Sequence, residues 1–94
     1  MNKSELVDAV SQELNFSIKT TQNIIDTILD TMIEGLVAGE NVEIRGFGTF
    51  TVRHYEAYMG RKPKTGEQVE VKPKKLPFFK VGKKLKEAVN GGEK

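Results

Sequence analysis

Residues 60–67 read Gly-Arg-Lys-Pro-Lys-Thr-Gly-Glu, a proline between Lys62 and Lys64 inside a turn bounded by Gly60 and Gly66. On either side apolar residues recur at every second position, Phe50 and Val52 before the turn and Val69 and Val71 after it, the pattern of half-buried strands. A turn between two such stretches makes a β-hairpin, and nothing stops the outgoing strand before Gly60. Length decides where this hairpin goes. A compact domain of this size has a radius of gyration of about 12 Å, whereas roughly ten residues of strand reach about 33 Å. The hairpin should therefore project beyond its own core as an arm, over about residues 53–75, poorly ordered without a ligand. Its distal part is too polar for a core, since Arg61, Lys62, Lys64 and Thr65 surround only Met59 and Pro63.

Upstream, Val42 and Ile44 alternate with Glu43 and Arg45, and Gly46-Phe47-Gly48 makes a tight turn into the strand of Phe50 and Val52. Downstream, the return strand runs towards Leu76 and Phe79. The first forty residues have a helical period instead. Asn2 is an N-cap with Glu5 at capping-box spacing, and Leu6, Val7, Val10 and Leu14 fall on one face. Ser17 caps a second, longer helix over residues 18–37, which Gly39 stops. Its apolar residues come in pairs, Ile24/Ile25, Ile28/Leu29, Met32/Ile33 and Leu36/Val37, a stripe wider than one helix neighbour needs. We read the stripe as contacting both its own first helix and a partner chain; the alternative is a well-buried core helix in a monomer. A last short helix, residues 83–89, is entered through Gly82 and ended by Asn90-Gly91-Gly92, with Leu85, Ala88 and Val89 inward and Lys83, Lys84 and Lys86 outward. The expected fold is α+β: a helical hairpin base, a three-stranded antiparallel sheet with a long protruding β-hairpin arm, and a short C-terminal helix, in one domain over residues 1–94.

The charge is unevenly divided. Residues 1–52 hold 3 Lys+Arg against 8 Asp+Glu and residues 53–94 hold 12 against 5, so the halves carry −5 and +7 although the whole carries only +2. Such asymmetry points to a polyanion as partner. At 94 residues the chain buries only about 60–65% of the surface of its unfolded form. It has no cysteine, hence no disulfide and no thiolate metal site, and oligomerisation is the remaining staple. No apolar run is long enough for a signal peptide or for the ~18 residues of a membrane span, which points to the cytoplasm.

Catalysis has little support. His54 has no second His or Cys with which to share a metal and reads as an exposed strand residue. Asp26, Asp30 and Glu34 read as a solvated helix face. The Gly60/Gly66 spacing is not a phosphate-binding loop, because Glu67 and then strand follow where that motif needs Lys, Ser/Thr and a helix. A nucleic-acid reading accounts for more of the chain: Arg53, Arg61, Lys62, Lys64, Lys72, Lys74 and Lys75 recur along the arm and return strand and suit a surface that follows phosphates. An exposed Pro63 between cations can press its ring between base pairs; read locally, it is a turn-former. Gly82 before Lys83-Lys84 offers free N–H groups and charge to a phosphate; read locally, it is an ordinary helix start.

The order of two helices, the GFGTF turn at residues 46–50, the tip GRKPKTGE and the ending LPFFKVGKKLKEAVN closely resembles the bacterial histone-like HU and integration host factor family, over about residues 1–90. That family belongs to the minor-groove binders that insert apolar wedges. The resemblance implies an intertwined dimer whose two arms embrace DNA and whose sheets form a saddle. It implies Pro63 as the intercalating wedge and Arg61, Lys62 and Lys64 in or beside the minor groove. Arg53, Lys72, Lys74 and Lys75 would line the arm and saddle. Lys3, the turn with Arg45, Gly46 and Gly48, Lys80, and Lys83, Lys84 and Lys86 would grip flanking phosphates. Ile28, Leu29, Met32 and Leu36 with the aromatic cluster Phe47, Phe50 and Phe79 would form the dimer core. Tyr55 and Tyr58 stand where relatives often carry basic or small residues; they can hydrogen-bond to sugar or phosphate but release no counterion.

The implied function is an architectural nucleoid protein, not an enzyme, that binds duplex DNA with little sequence specificity and bends or kinks it. The alternative is a sequence-selective subunit like integration host factor, which residues 43–45 (Glu-Ile-Arg) resemble. The implied partner is double-stranded DNA, plain, nicked, bent or structured, bound by a homodimer or by a heterodimer with a different subunit, with no membrane, cofactor or metal. A rival from another class is a dimeric protein-interaction module whose basic arm docks on an acidic protein.

Overall fold

The computed structural model describes residues 1–91 and resolves two compact units, one of residues 1–35 and one beginning at Leu36. In the first, α1 (Lys3–Leu14) starts at the capping box its sequence announces. The Glu5 N–H donates to Asn2 Oδ1 at 2.9 Å and the Asn2 N–H to Glu5 Oε1 at 2.8 Å, satisfying donors that helix geometry leaves orphaned. The helix ends at Asn15 in the left-handed region, φ 59°. The next helix, α2 (Ile18–Val37), is capped by Ser17 Oγ, which accepts from Thr20 N–H at 3.1 Å. Gly39 terminates it at φ +86°.

The buried positions of this unit are Val7 and Ser11 on α1 and Thr21 and Ile25 on α2, each pair one turn apart. The two hydroxyls are satisfied locally: Ser11 Oγ donates to the Phe16 carbonyl at 2.8 Å and Thr21 Oγ1 to that of Ser17 at 2.9 Å. An ion pair between Lys3 and Asp26 links α1 to α2, so Asp26 is not the purely solvated residue its helix face suggested. Of the four apolar residues read as one face of α1, Val7 is buried and Val10 half-buried. Leu6 lies about 100° around the helix from Val7, and Leu14 occupies the last turn, where the chain departs at Asn15; both are exposed.

In the second unit β1 (Val42–Ile44), β2 (Gly48–Tyr55) and β5 (Lys74–Val81) form a three-stranded antiparallel sheet in the order β1-β2-β5, while β3 (Tyr58–Arg61) and β4 (Gln68–Val71) form a separate two-stranded ladder. The uninterrupted long hairpin expected from the alternation is thus broken. Tyr55 pairs with Lys74 and Tyr58 with Val71, so the register is unchanged across the gap, and the two missing rungs are Glu56 opposite Pro73 and Ala57 opposite Lys72. Pro73 has no N–H to give a ladder, but neither has Pro77, which pairs with Val52 inside the unbroken β2–β5 ladder, so the missing N–H does not by itself account for the break. The final helix, α3 (Lys83–Val89), starts at Gly82 as expected. Gly91 follows its C-cap at φ +74°, and the Gly92 of the expected terminator lies outside the described residues. Leu85 is half-buried, but Ala88 and Val89, expected inward, are exposed, Val89 at 77%; they occupy the last turn, beyond the contacts that hold the first.

Candidate nucleic-acid interface

The tip of the arm is a closed turn. The Gly66 N–H donates to the Lys62 carbonyl at 2.8 Å and the Lys62 N–H to that of Glu67 at 2.9 Å. Glu67 N–H reaches Thr65 Oγ1 at 3.2 Å, and Arg61 Nη1 donates to the Gly66 carbonyl at 3.2 Å. Gly66 takes φ +73°, a conformation that glycine adopts without a Cβ clash. Pro63 has no N–H to satisfy and stands exposed with Lys62 and Lys64 on either side. One turn thereby holds together the four residues singled out as wedge and cationic neighbours.

The sheet sorts the remaining candidates by side. Because β2 and β5 pair in register, Thr49, Thr51, Arg53 and Tyr55 share a face with Lys74, Leu76, Phe78 and Lys80. The opposite face carries Phe50, Val52 and His54 with Lys75, Pro77, Phe79 and Val81. Lys75 is therefore separated from Lys74 and Lys80, and His54 is exposed as expected. With the register unchanged, Tyr55 and Tyr58, three residues apart, also fall on opposite faces. Tyr58 shares its side of the arm with Gly60, Val69 and Val71, and an added Gly60 Cβ would lie 3.6 Å from its ring. Lys72 is exposed in the gap between the ladders.

On the apolar face Phe79 packs its ring 4.7 Å from that of Phe50 and 5.5 Å from that of Phe47, the aromatic cluster foreseen. Gly48 makes it possible: a Cβ there would sit 2.4 Å from the Phe79 ring and 2.6 Å from the Lys80 carbonyl oxygen. The turn at residues 45–47 is also the seat of α3. Gly82 N–H donates to the Phe47 carbonyl and Leu85 N–H to that of Gly46, both at 2.9 Å. Two of the N–H groups expected to be free for a phosphate are thus used in docking the helix. Those of Lys83 and Lys84 have no intrahelical acceptor, and both side chains are exposed, as are Lys86 and Arg45. Lys3 is engaged by Asp26.

The sequence reading missed one contact. The guanidinium carbon of Arg53 lies 3.4 Å from the centroid of the Phe78 ring. Counting rungs outward from the tip at residues 62–66 would have brought the two together, since Arg53 opposes Leu76 and Thr51 opposes Phe78. Among the described residues no group of three or more His, Cys, Asp or Glu is placed to hold a metal ion, and no helix is long and apolar enough to cross a membrane.

Comparison with known proteins is consistent over nearly the full length. The family model described as "Bacterial DNA-binding protein" matches residues 1–90. The DNA-binding protein HU 1 of Bacillus subtilis is 43% identical over 91 residues, covering 97% of this chain and 99% of that protein. The HU of the Anabaena HU–DNA cocrystal structure superposes with a TM-score of 0.86 at 39% identity, covering 95% of this chain and 97% of that one. HU from Thermotoga maritima gives 0.69 at 38% identity, covering 95% and 98%.

Proposed function

Because the chain belongs to the bacterial DNA-binding protein family, with HU proteins among its relatives, we propose that it is an architectural protein of the bacterial nucleoid that binds duplex DNA through the minor groove and bends it. The observation that carries this reading is the arm tip, where Pro63 is exposed in a hydrogen-bonded turn with Arg61, Lys62 and Lys64 around it. A rigid apolar ring held among cations is what a kink needs: the ring enters an unstacked base step while the charges hold the backbone on either side. Arg53, Lys74 and Lys80, on one face of the sheet, supply further phosphate neutralisation. Affinity then comes from counterion release and preference from how easily a site deforms, with little readout of base edges. Holding and bending DNA involves no chemical step, metal or cofactor.

The working unit in this reading is a dimer of two such chains. Among the described hydrophobic residues only Val7 and Ile25 are buried, at 5% and 8% exposure, while Ile28, Leu29 and Ile33 of α2 and Phe47 and Phe79 of the aromatic cluster are exposed. Uncovered apolar surface on both helix and sheet calls for a second copy, which would also supply a second arm.

The test is a mobility shift on random-sequence duplex and on nicked duplex at stepped salt, with footprinting on a mixed genomic library. The expected result is a shift on random duplex that weakens steeply with salt and leaves no discrete footprint. A single protected site would favour the sequence-selective alternative. Failure to shift any duplex at low salt would favour a protein-interaction module.

A further inference from the structure

Phe78 is 37% exposed on the sheet face that carries Arg53, Lys74 and Lys80, and its ring has the Arg53 guanidinium over it at 3.4 Å. The two residues are diagonal neighbours on adjacent strands, a separation that long and aromatic side chains span. At so short a distance the planar cation lies flat, because an upright one would drive a nitrogen into the ring. Its N–H donors all lie in that plane, so the ring occupies the face of the guanidinium and leaves its edge free. Among the described residues neither ion pair involves Arg53, so that edge has no carboxylate to hold it.

We propose that Phe78 is a positioning residue for Arg53, holding the guanidinium flat on the sheet with its edge N–H groups ready for a phosphate before DNA arrives. The inference rests on the DNA-binding reading above and deepens it. An arginine without such support loses side-chain freedom on binding, and a pre-ordered one loses less. The ring contact and the phosphate contact do not compete, since they use different surfaces of the same cation. An exposed cation–π contact corresponds to roughly two- to fivefold in an equilibrium constant.

The experiment is a double-mutant cycle on the full chain, with wild type, Phe78→Leu, Arg53→Ala and the combination binding a short random duplex by fluorescence anisotropy at stepped salt. Phe78→Leu should weaken binding roughly two- to fivefold with the salt slope unchanged, because the charge remains, and Phe78→Tyr should bind like wild type. In the Arg53→Ala background Phe78→Leu should change nothing further. The same loss in that background, or no loss in either, overturns the proposal, since the ring would then act independently of Arg53. If Phe78→Leu fails to fold, the Arg53 Nε–H resonance of the free wild type decides: a ring-current shift upfield of the random-coil position is expected, and a random-coil position overturns the proposal. Wild type that binds no duplex at all contradicts the function reading and this inference with it, a result distinct from duplex binding that is indifferent to Phe78.

Discussion

Arg61 donates from Nη1 to the carbonyl oxygen of Gly66 across the tip of the arm, at 3.2 Å. The side chain that ends β3 thus braces the turn that displays Pro63, and its charge stands at the place where a duplex would be kinked. A wedge works only if the turn behind it does not give way, so shape and charge at residue 61 are separable requirements.

Arg61→Lys separates them. Lysine keeps the positive charge but lacks the planar fork that reaches the Gly66 carbonyl. The expected outcome is a salt dependence of duplex binding like that of wild type together with a smaller bend. A bend equal to that of wild type would show that the brace contributes nothing to the wedge.

Gly48→Ala should be the most damaging single-methyl change in the sheet. Its Cβ would meet the Phe79 ring at 2.4 Å and the Lys80 carbonyl oxygen at 2.6 Å, and neither strand can withdraw without breaking the β2–β5 ladder. Overpacking of this kind costs about 1–3 kcal/mol, and the φ of +157° adds backbone strain. Gly39→Ala, at φ +86° with nothing within 4 Å of the new Cβ, should cost only about 1–2 kcal/mol. Urea denaturation of both variants at equal concentration checks the order.

The proposed dimer would make stability depend on concentration. Thermal midpoints should rise with protein concentration, and sedimentation at micromolar concentration should give twice the chain mass. Ile28→Asp with Ile33→Asp, both in the exposed stripe of α2, should dissociate and unfold the protein together. A stably folded wild-type monomer at micromolar concentration would contradict the two-sided reading of that stripe.

At the start of α3, Lys83 and Lys84 are exposed beside the Gly46 turn. Changing both to Ala should flatten the plot of log K against log salt by at most about 1.8, since each phosphate neutralised on B-DNA contributes ~0.9. An unchanged slope and affinity would remove α3 from the interface.

The features legible in the sequence are those set by near neighbours. The Asn2/Glu5 capping box, the Ser17 cap, the Gly39 stop, the Gly46-Phe47-Gly48 turn and the tip around Pro63 each depend on residues within about one turn of one another, and each stands where it was expected. What stayed hidden depends on register. The side of the sheet on which Lys75 falls, the opposition of Tyr55 and Tyr58, and the Arg53–Phe78 contact follow only once β2 and β5 are aligned rung by rung. The Lys3–Asp26 pair joins residues on different helices. The gap at residues 56–57 and 72–73 stayed hidden too: Pro73 cannot donate to a ladder, but nor can Pro77, which the β2–β5 ladder accommodates opposite Val52.

In the proposed function Pro63 bends DNA by entering a base step. Donor–acceptor distance across a short end-labelled duplex, with wild type and with Pro63→Ala, both at saturating protein, tests it directly. Unstacking a step costs a few kcal/mol, which a wedge would offset, while the charges of Arg61, Lys62 and Lys64 are present in either variant. The Pro63→Ala complex should still form, with affinity reduced less than bending, and its ends should lie farther apart than in the wild-type complex. Identical end-to-end distances in the two complexes would contradict it, leaving Pro63 a turn residue and any bend the work of charge neutralisation along the sheet.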